Sequence, residues 1–330
     1  MKKNIIILLS FLLISTPVMA RTLIEEENVQ QAQKIKHKRY FWTKQLDDLN
    51  IVGKVKHIPE NINKVIVPYF RVTFALGGKY LNSVGGVTTS KTKVYSQLNG
   101  IDESLLQEIT DQMYEDLLLQ LKNNGYEVMD LSILEQNETY QKLQESSNYP
   151  ILKKTSAMFT PQNRYYPATI AVKAYMLANE VDALMLKADY TVNFISMARN
   201  EKKFNLLKDK SDVTVGQGIN VFGEISVLTE KGLVTFQIQQ PITSDKPFGE
   251  VVDATTAMNK VTDGVAFVGS ILNGKLGDRH STSTVEVNAD SALYKEAVTD
   301  ALTKSNGTLA SYMSATIEGE ELSNEDIQEE

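Results

Sequence analysis

The strongest constraint on the fold is the alternation of apolar and polar residues over residues 181–194. Every even position from Leu184 to Phe194 is apolar, and the odd positions from Lys187 to Asn193 are polar. Alternation with a period of two is typical of a β-strand with one buried face. The stretch therefore predicts a long strand, which needs other strands to pair with it and a layer to cover its apolar face.

The flanking sequence predicts the elements that supply those neighbours. Residues 213–228 and 233–239 alternate in the same way, which favours an antiparallel meander. Residues 64–76 predict a core strand, in which Pro68 requires an edge position or a bulge because proline has no amide donor. Together with the helices described next, these strands predict an α+β (α/β) fold with a mixed, largely antiparallel sheet and helices packed on one face.

Residues 102–124 predict the strongest helix, because apolar residues recur at three- and four-residue steps between an N-cap at Asp102 and a terminating Gly125. A last helix is predicted over residues 290–304, with an extension past Gly307 to Met313. Further helices are predicted over residues 132–149, 168–179 and 253–260. The glycine pairs at 77–78 and 85–86 predict a flexible loop or hairpin tip, and residues 150–167 predict irregular structure.

Residues 1–20 have the pattern of a secretory signal peptide. Two lysines precede a short apolar run, and Val18-Met19-Ala20 forms a small-x-small cleavage site. The apolar run is shorter than the roughly 20 residues that a spanning helix needs. The interpretation is export to the periplasm or outer membrane of a bacterium, with a mature chain that starts near Arg21.

Composition divides the remaining chain and excludes some classes of protein. We expect a charged N-terminal arm over residues 21–60, an α/β domain over residues 61–315 and an acidic disordered tail over residues 316–330. The net charge of −7 argues against a nucleic-acid partner. The absence of cysteine excludes disulfides, thiolate metal sites and a cysteine nucleophile.

The sequence contains no pattern of residues typical of a catalytic or cofactor site, so we expect no enzyme, no cofactor and no metal. The three histidines, His37, His57 and His280, have no partner at metal-ligand spacing. A hydrolase that uses His280 with Asp278, in a polar loop, is an alternative hypothesis. The carboxylates on the polar face of the first helix can bind a cation or simply keep that face soluble: Glu108, Asp111, Glu115 and Asp116.

One candidate partner-binding element lies in the N-terminal arm. Tyr40, Phe41 and the only tryptophan, Trp42, follow a basic stretch. They can dock on a partner, or they can anchor a surface helix to its own domain.

Four stretches, in their order along the chain, carry a family resemblance. These are the strand at 64–76, the helix at 102–124, the G-Y-E-V-M-D stretch at 125–130, and the A-N-E-V-D-A-L stretch at 178–184 that leads into the long strand. The chain resembles the envelope α/β family that includes the curli secretion protein CsgG and the N-terminal domain of TolB. The resemblance implies an envelope location and, for CsgG, a pore built from long hairpins of many copies. CsgG proteins are lipoproteins, and this chain has no cysteine to acylate.

The interpretation is an exported, non-catalytic assembly component of an envelope or secretion complex. Its expected partners are envelope proteins or copies of itself, and membrane association would come through the complex. An oligomeric outer-membrane pore and a periplasmic hydrolase remain as alternatives.

Overall fold

The computed structural model describes residues 44–45, 49–59, 62–84, 90–167, 177, 180–199, 213–229, 232–253 and 280–318 of the 330-residue chain. The strands are β1 Lys44–Gln45, β2 Leu49–Val52, β3 Lys64–Ala75, β4 Gly77–Val84, β5 Ser90–Asn99, β6 Glu127–Val128, β7 Ile151–Lys153, β8 Ser156–Phe159, β9 Leu184–Arg199, β10 Val213–Thr229, β11 Gly232–Ile238, β12 Ile242–Ser244, β13 Gly249–Asp253 and β14 His280–Ala289. The helices are α1 Glu103–Asn123, α2 Ser132–Glu135, α3 Glu138–Glu145 and α4 Ser291–Glu318.

The main sheet has the strand order β1-β2-β11-β10-β9-β3-β8-β7, with β12 added beside β10 and β6 beside β3. Strand β9 lies near its centre and pairs with β10 antiparallel and with β3 parallel. The predicted meander of β9, β10 and β11 is confirmed. Among the described pairs of this sheet, β3 with β9 and β3 with β6 are parallel, and the others are antiparallel. A parallel neighbour requires a crossover connection, and α1 lies in the connection between β3 and β6.

A second sheet has the order β13-β14-β5-β4. The chain passes from β3 in the main sheet to β4 in this one through a single residue, Leu76, whose carbonyl accepts a hydrogen bond from Leu98 N. Gly77 and Gly78 therefore begin a strand, and the prediction of a loop at this pair is wrong. Gly85 and Gly86 lie outside the described residues.

Helices α1 and α4 cover one face of the main sheet. Tyr114 of α1 packs edge-on against Phe70 of β3, and Phe70 also contacts Tyr190 of β9. Helix α4 approaches the same face, since Leu309 lies against Gly223, the register partner of Tyr190. The predicted α+β class, with its mixed and largely antiparallel sheet and helices on one face, is confirmed.

The local signals at the helix ends act as the sequence predicts. The Asp102 carboxylate accepts a hydrogen bond from Leu105 N at 2.8 Å, which caps α1, and Gly125 follows the helix with φ +87°. Asp290 caps α4 through Leu293 N at 3.0 Å. Helix α4 continues past Gly307, as expected, and reaches Glu318, so it enters the range that the sequence assigns to the acidic tail.

Pro68 lies where β3 loses regular pairing on both sides. The register with β9 shifts between Ile66 and Tyr69, so the predicted bulge is confirmed. On the other side, β6 pairs with residues 64–65 and β8 with residues 72–75. Between β6 and β8, residues 66–71 of β3 pair with no described strand on this side, and we call this stretch the gap in β3. The missing amide hydrogen of Pro68 therefore removes no ladder hydrogen bond there.

Three further predictions differ from the structure or fall outside it. Residues 150–167 contain the β7–β8 hairpin, so the expectation of wholly irregular structure is wrong. Residues 49–52, which the sequence assigns to the arm, form β2 and pair with β11. The predicted helices at 168–179 and 253–260 lie almost entirely outside the described residues.

Among the described helices, none combines the length and apolar character that crossing a membrane requires.

Candidate functional site

A row of polar residues crosses five neighbouring strands on the sheet face that α1 and α4 leave uncovered. The backbone register aligns the five residues in order across the strands, one from each: Asn50 of β2, Gln237 of β11, Glu224 of β10, Asp189 of β9 and Arg71 of β3. Side chains directly opposite each other on one face of a sheet are close enough to interact. We call this set the polar row.

The polar row contains a forked ion pair. Arg71 Nε donates to Asp189 Oδ1 at 3.1 Å, and Nη2 of the same guanidinium contacts Asp189 Oδ2. The side chains are only 20% and 18% exposed. Burial lowers the pKa of Arg71, but the hydrogen bond and the charge of Asp189 raise it by more, so the guanidinium stays protonated.

A second hydrogen bond extends the row away from this pair. Gln237 Nε2 donates to Glu224 Oε2 at 2.7 Å. Two residues further along the same two strands, the hydroxyls of Ser226 and Thr235 form a hydrogen bond of 2.8 Å. Polar groups in this part of the sheet are thus largely satisfied by side chains on the adjacent strand.

Tyr166 closes over the charged end of the row. The Arg71 guanidinium lies 4.2 Å from the centre of the Tyr166 ring, and Lys187 Nζ lies 4.8 Å from it. Tyr166 is 3% exposed, and its pKa is raised well above 10 by burial and by the Asp189 charge. Burial also lowers the pKa of Lys187, although Asp189 and Glu224 partly oppose this shift. The tyrosine ring thus shields two cations from solvent through cation–π contacts.

The segment that carries Tyr166 fills the gap beside β3. At residues 160–164 it contacts α1, where Gln162 N donates to Asp111 and the Arg164 guanidinium lies over the Tyr114 ring. Tyr114 itself donates to Val67 O within the gap, at 3.3 Å. Tyr166, two residues after Arg164, lies on the opposite face of the sheet, against Arg71 and Lys187. The break in pairing at Pro68 thus leaves room for this segment to pass around the edge of β3.

The charged side chains of this cluster satisfy one another. The two cations, Arg71 and Lys187, face two carboxylates, Asp189 and Glu224, so the cluster is close to neutral. None of these four side chains is a hydroxyl or thiol nucleophile. Within the described ranges, no group of three or more His, Asp or Glu side chains is arranged to hold a metal ion.

The acidic residues of α1 do not converge on one point. Glu108 accepts from Lys295 at 2.7 Å, Asp111 from Gln107 at 3.0 Å, and Asp116 from Asn306 at 2.7 Å. Each of these three carboxylates thus has its own protein donor. One ion pair and two amide hydrogen bonds favour the interpretation of a soluble helix face over that of a cation site.

Most of the other sequence candidates lie outside the part of the chain that the structure describes. Tyr40, Phe41 and Trp42, like His37 and Asp278, lie outside the described residues. His57 ends a single 3-10 turn at Val55–His57. His280 is the first residue of β14, so its assignment to a loop is wrong.

Sequence reasoning missed Arg71 and Tyr166 as members of one cluster. One signal was available, because Arg71 is a charge inside an otherwise apolar strand, V-I-V-P-Y-F-R-V-T-F. A charge in a core strand requires a partner. That partner is 118 residues away in sequence, and no local pattern identifies it.

Comparison with known proteins adds little to this picture. No family model and no curated protein sequence matches the chain. Among solved structures, the chain is similar to a neuraminyllactose-binding hemagglutinin homolog from Helicobacter pylori, at 11% identity and a TM-score of 0.28. The match covers 82% of this chain and 90% of that one. A likeness this distant carries no argument about function.

Proposed function

We propose that this chain is an exported, non-catalytic component of a bacterial envelope or secretion complex, and that it acts through protein–protein contacts. The signal-peptide pattern of residues 1–20 supports export. The paired, near-neutral charges of the polar row support a structural role for the most polar part of the described core.

One observation carries the proposal, namely that the second sheet has strands β4 and β13 at its two ends. Within the described residues, β4 pairs only with β5, and β13 only with β14. An unpaired strand edge presents free amide and carbonyl groups that can add a strand from another chain. Strand β4 spans Gly77–Val84 and contains a single lysine, Lys79, so few charges oppose such pairing.

Pairing of β4 in one copy with β13 in the next would be a head-to-tail contact. Contacts of this type produce rings or filaments, because each copy presents both halves of the interface. Pairing of β4 with a strand of a different envelope protein would instead give a hetero-complex. Both arrangements belong to the proposed role, and the same experiment separates them.

Site-specific photocrosslinking in the envelope tests the proposal. A photoreactive residue at Lys79 or Asn82 of β4 should give discrete crosslinked products, which mass spectrometry identifies as copies of this chain or as another protein. The matched control is position 119 on α1, where Leu119 is 53% exposed and belongs to neither edge strand of the second sheet. A mature chain that runs as a monomer and gives no β4-specific product would contradict the proposal.

A second candidate, an oligomeric secretion pore, rests on the length of β9 and β10. The last register pair of β3 with β9 is Phe74 with Val192, but β9 continues to Arg199 and remains paired with β10. At 16 and 17 residues, both strands exceed the roughly 9–11 residues of a membrane-crossing strand. This candidate predicts ring-shaped particles that require detergent, and a freely soluble monomer would exclude it.

A further inference from the structure

The segment that carries Tyr166 contains two adjacent residues with a strained backbone. Gln162 and Asn163 have φ values of +52° and +56°, in the left-handed region that residues other than glycine rarely adopt. Such a conformation costs free energy and persists only where surrounding contacts enforce it. The contacts of residues 160–166, which we call the strap, must therefore offset this cost.

Helix α1 holds the strap on one side. Asp111 Oδ1 accepts a hydrogen bond from Gln162 N at 3.1 Å and another from Gln107 Nε2 at 3.0 Å. Gln107 Nε2 also donates to Thr160 O at 3.0 Å. Because a hydrogen bond to a carboxylate is stronger than one between neutral groups, Asp111 is the strongest of these attachments.

Helix α3 and the residues after it hold the strap on the other side. Gln144 Oε1 accepts a hydrogen bond from Tyr165 N at 3.0 Å, and Ser147 Oγ donates to Asn163 O at 2.7 Å. The strap follows the end of β8 at Phe159 and belongs to neither sheet of the described chain. Side chains of two helices, rather than a β-ladder, therefore fix its position.

The strap also has hydrogen bonds of its own. Asn163 N donates to Thr160 O at 3.2 Å, and Arg164 N donates to Pro161 O at 3.0 Å. Thr160 Oγ1 donates to Arg164 O at 2.7 Å. A turn that is bonded within itself in this way can move as one piece.

We propose that the strap opens and closes as a unit while the sheets and helices stay folded, and that Asp111 holds it closed. Opening releases the strained conformation of Gln162 and Asn163, so the strain favours the open state. Opening also moves the Tyr166 ring away from the cations of Arg71 and Lys187, which it covers in the closed state. The strap thus controls whether solvent or a partner reaches these two cations.

Hydrogen exchange of single backbone amides in the mature chain, followed by NMR, tests the proposal. The amides of residues 162–165 should exchange at least about a hundredfold faster than those of residues 187–192, which are paired on both sides in the main sheet. Asp111→Ala should speed exchange of the strap about tenfold and leave that of residues 187–192 unchanged. Glu115→Ala removes an exposed carboxylate one turn later on α1 and should change neither.

The Tyr165 amide separates opening of the whole strap from loss of one bond. It bonds to Gln144 and not to Asp111, so Asp111→Ala speeds its exchange only if the strap moves as a unit. Asn163→Ala should also speed exchange of the strap, about fivefold, whereas Asn163→Gly should not, because alanine tolerates a positive φ poorly. Strap amides that exchange as slowly as those of residues 187–192, an effect of Asp111→Ala confined to the Gln162 amide, or equal effects of the two Asn163 variants would overturn the proposal.

Discussion

Arg71 and Asp189 are register partners on two adjacent parallel strands and bind each other through both carboxylate oxygens. The residues are separated by 118 positions in sequence. A forked arginine–carboxylate pair has strict geometry. A one-residue slip of β9 against β3 would move Asp189 to the opposite face, so the pair favours the observed register.

Asp189→Asn should destabilise the fold by roughly 2–3 kcal/mol, because it leaves the half-buried Arg71 guanidinium without its carboxylate. The free energy of unfolding in urea measures this change. Glu138→Gln removes a carboxylate from the exposed Lys142 pair on α3 and should change stability little. Equal, small effects of the two substitutions would show that Arg71 does not depend on Asp189.

The stability should fall steeply above pH 10. Burial is the main cause that raises the pKa of Tyr114 from 10.0 to about 12, and burial likewise raises the pKa values of Tyr69, Tyr190 and Tyr294. Above pH 10 the unfolded chain releases these protons while the folded chain retains them. The unfolded state then binds fewer protons, so unfolding becomes more favourable as the pH rises.

Lys187 acts in the opposite direction. Burial lowers its pKa below 10.5, so stability increases as the pH rises from that lowered value towards 10.5. Lys187 opposes six tyrosines with raised pKa values, Tyr140 and Tyr166 included, so the net slope above pH 10 should be negative. Urea midpoints between about pH 9 and about pH 11 check this slope. Tyr294→Phe should reduce the slope, because it removes one of the buried hydroxyls. Midpoints that stay constant over this range would refute the prediction.

Gly223→Ala should destabilise the fold by about 1–3 kcal/mol through overpacking. A Cβ at position 223 would lie 2.6 Å from two atoms of the Tyr190 ring and 3.2 Å from Leu309 Cδ1. Thermal or urea unfolding measures the loss. Repeating the substitution in a Tyr190→Leu background should reduce its cost, and an unchanged cost would show that the ring is not the obstacle.

Asn306→Ala should loosen the contact between α1 and α4. The Asn306 amide is buried and donates to Met113 O at 3.1 Å and to Asp116 Oδ2 at 2.7 Å. Loss of both bonds and of buried volume should cost about 1–3 kcal/mol. Thr308→Ala, at an exposed position on the same helix, is the control. Similar unfolding midpoints for the two variants would exclude Asn306 as an important link between the helices.

The elements that were predicted correctly are those with local causes. Asp102 caps α1 through an amide three residues away, and the alternation in β9 and β10 reflects burial of one face of each strand. Pro68 predicts a bulge because its missing donor is a property of the residue itself. Such signals require no knowledge of what lies across the fold.

The parts that were missed depend on distant segments. The parallel pair of β5 and β14 joins residues 91–99 to residues 280–288, and no local pattern indicates it. The same limit applies to Tyr166, whose position over Arg71 and Lys187 follows from the gap between β6 and β8. The polar row likewise requires the register of five strands, each of which contributes one residue to the row.

By itself, the sequence determined the α+β class, both ends of α1, the start of α4, the long strands and the absence of cysteine chemistry. These properties follow from side-chain periodicity, capping and composition, which act over a few residues. The tertiary structure alone decided which strands pair, where the second sheet forms, and that Arg71, Asp189, Lys187 and Tyr166 meet. The physical reason is that those contacts arise from the burial of whole faces against each other, and this burial selects one register among many that are locally equivalent.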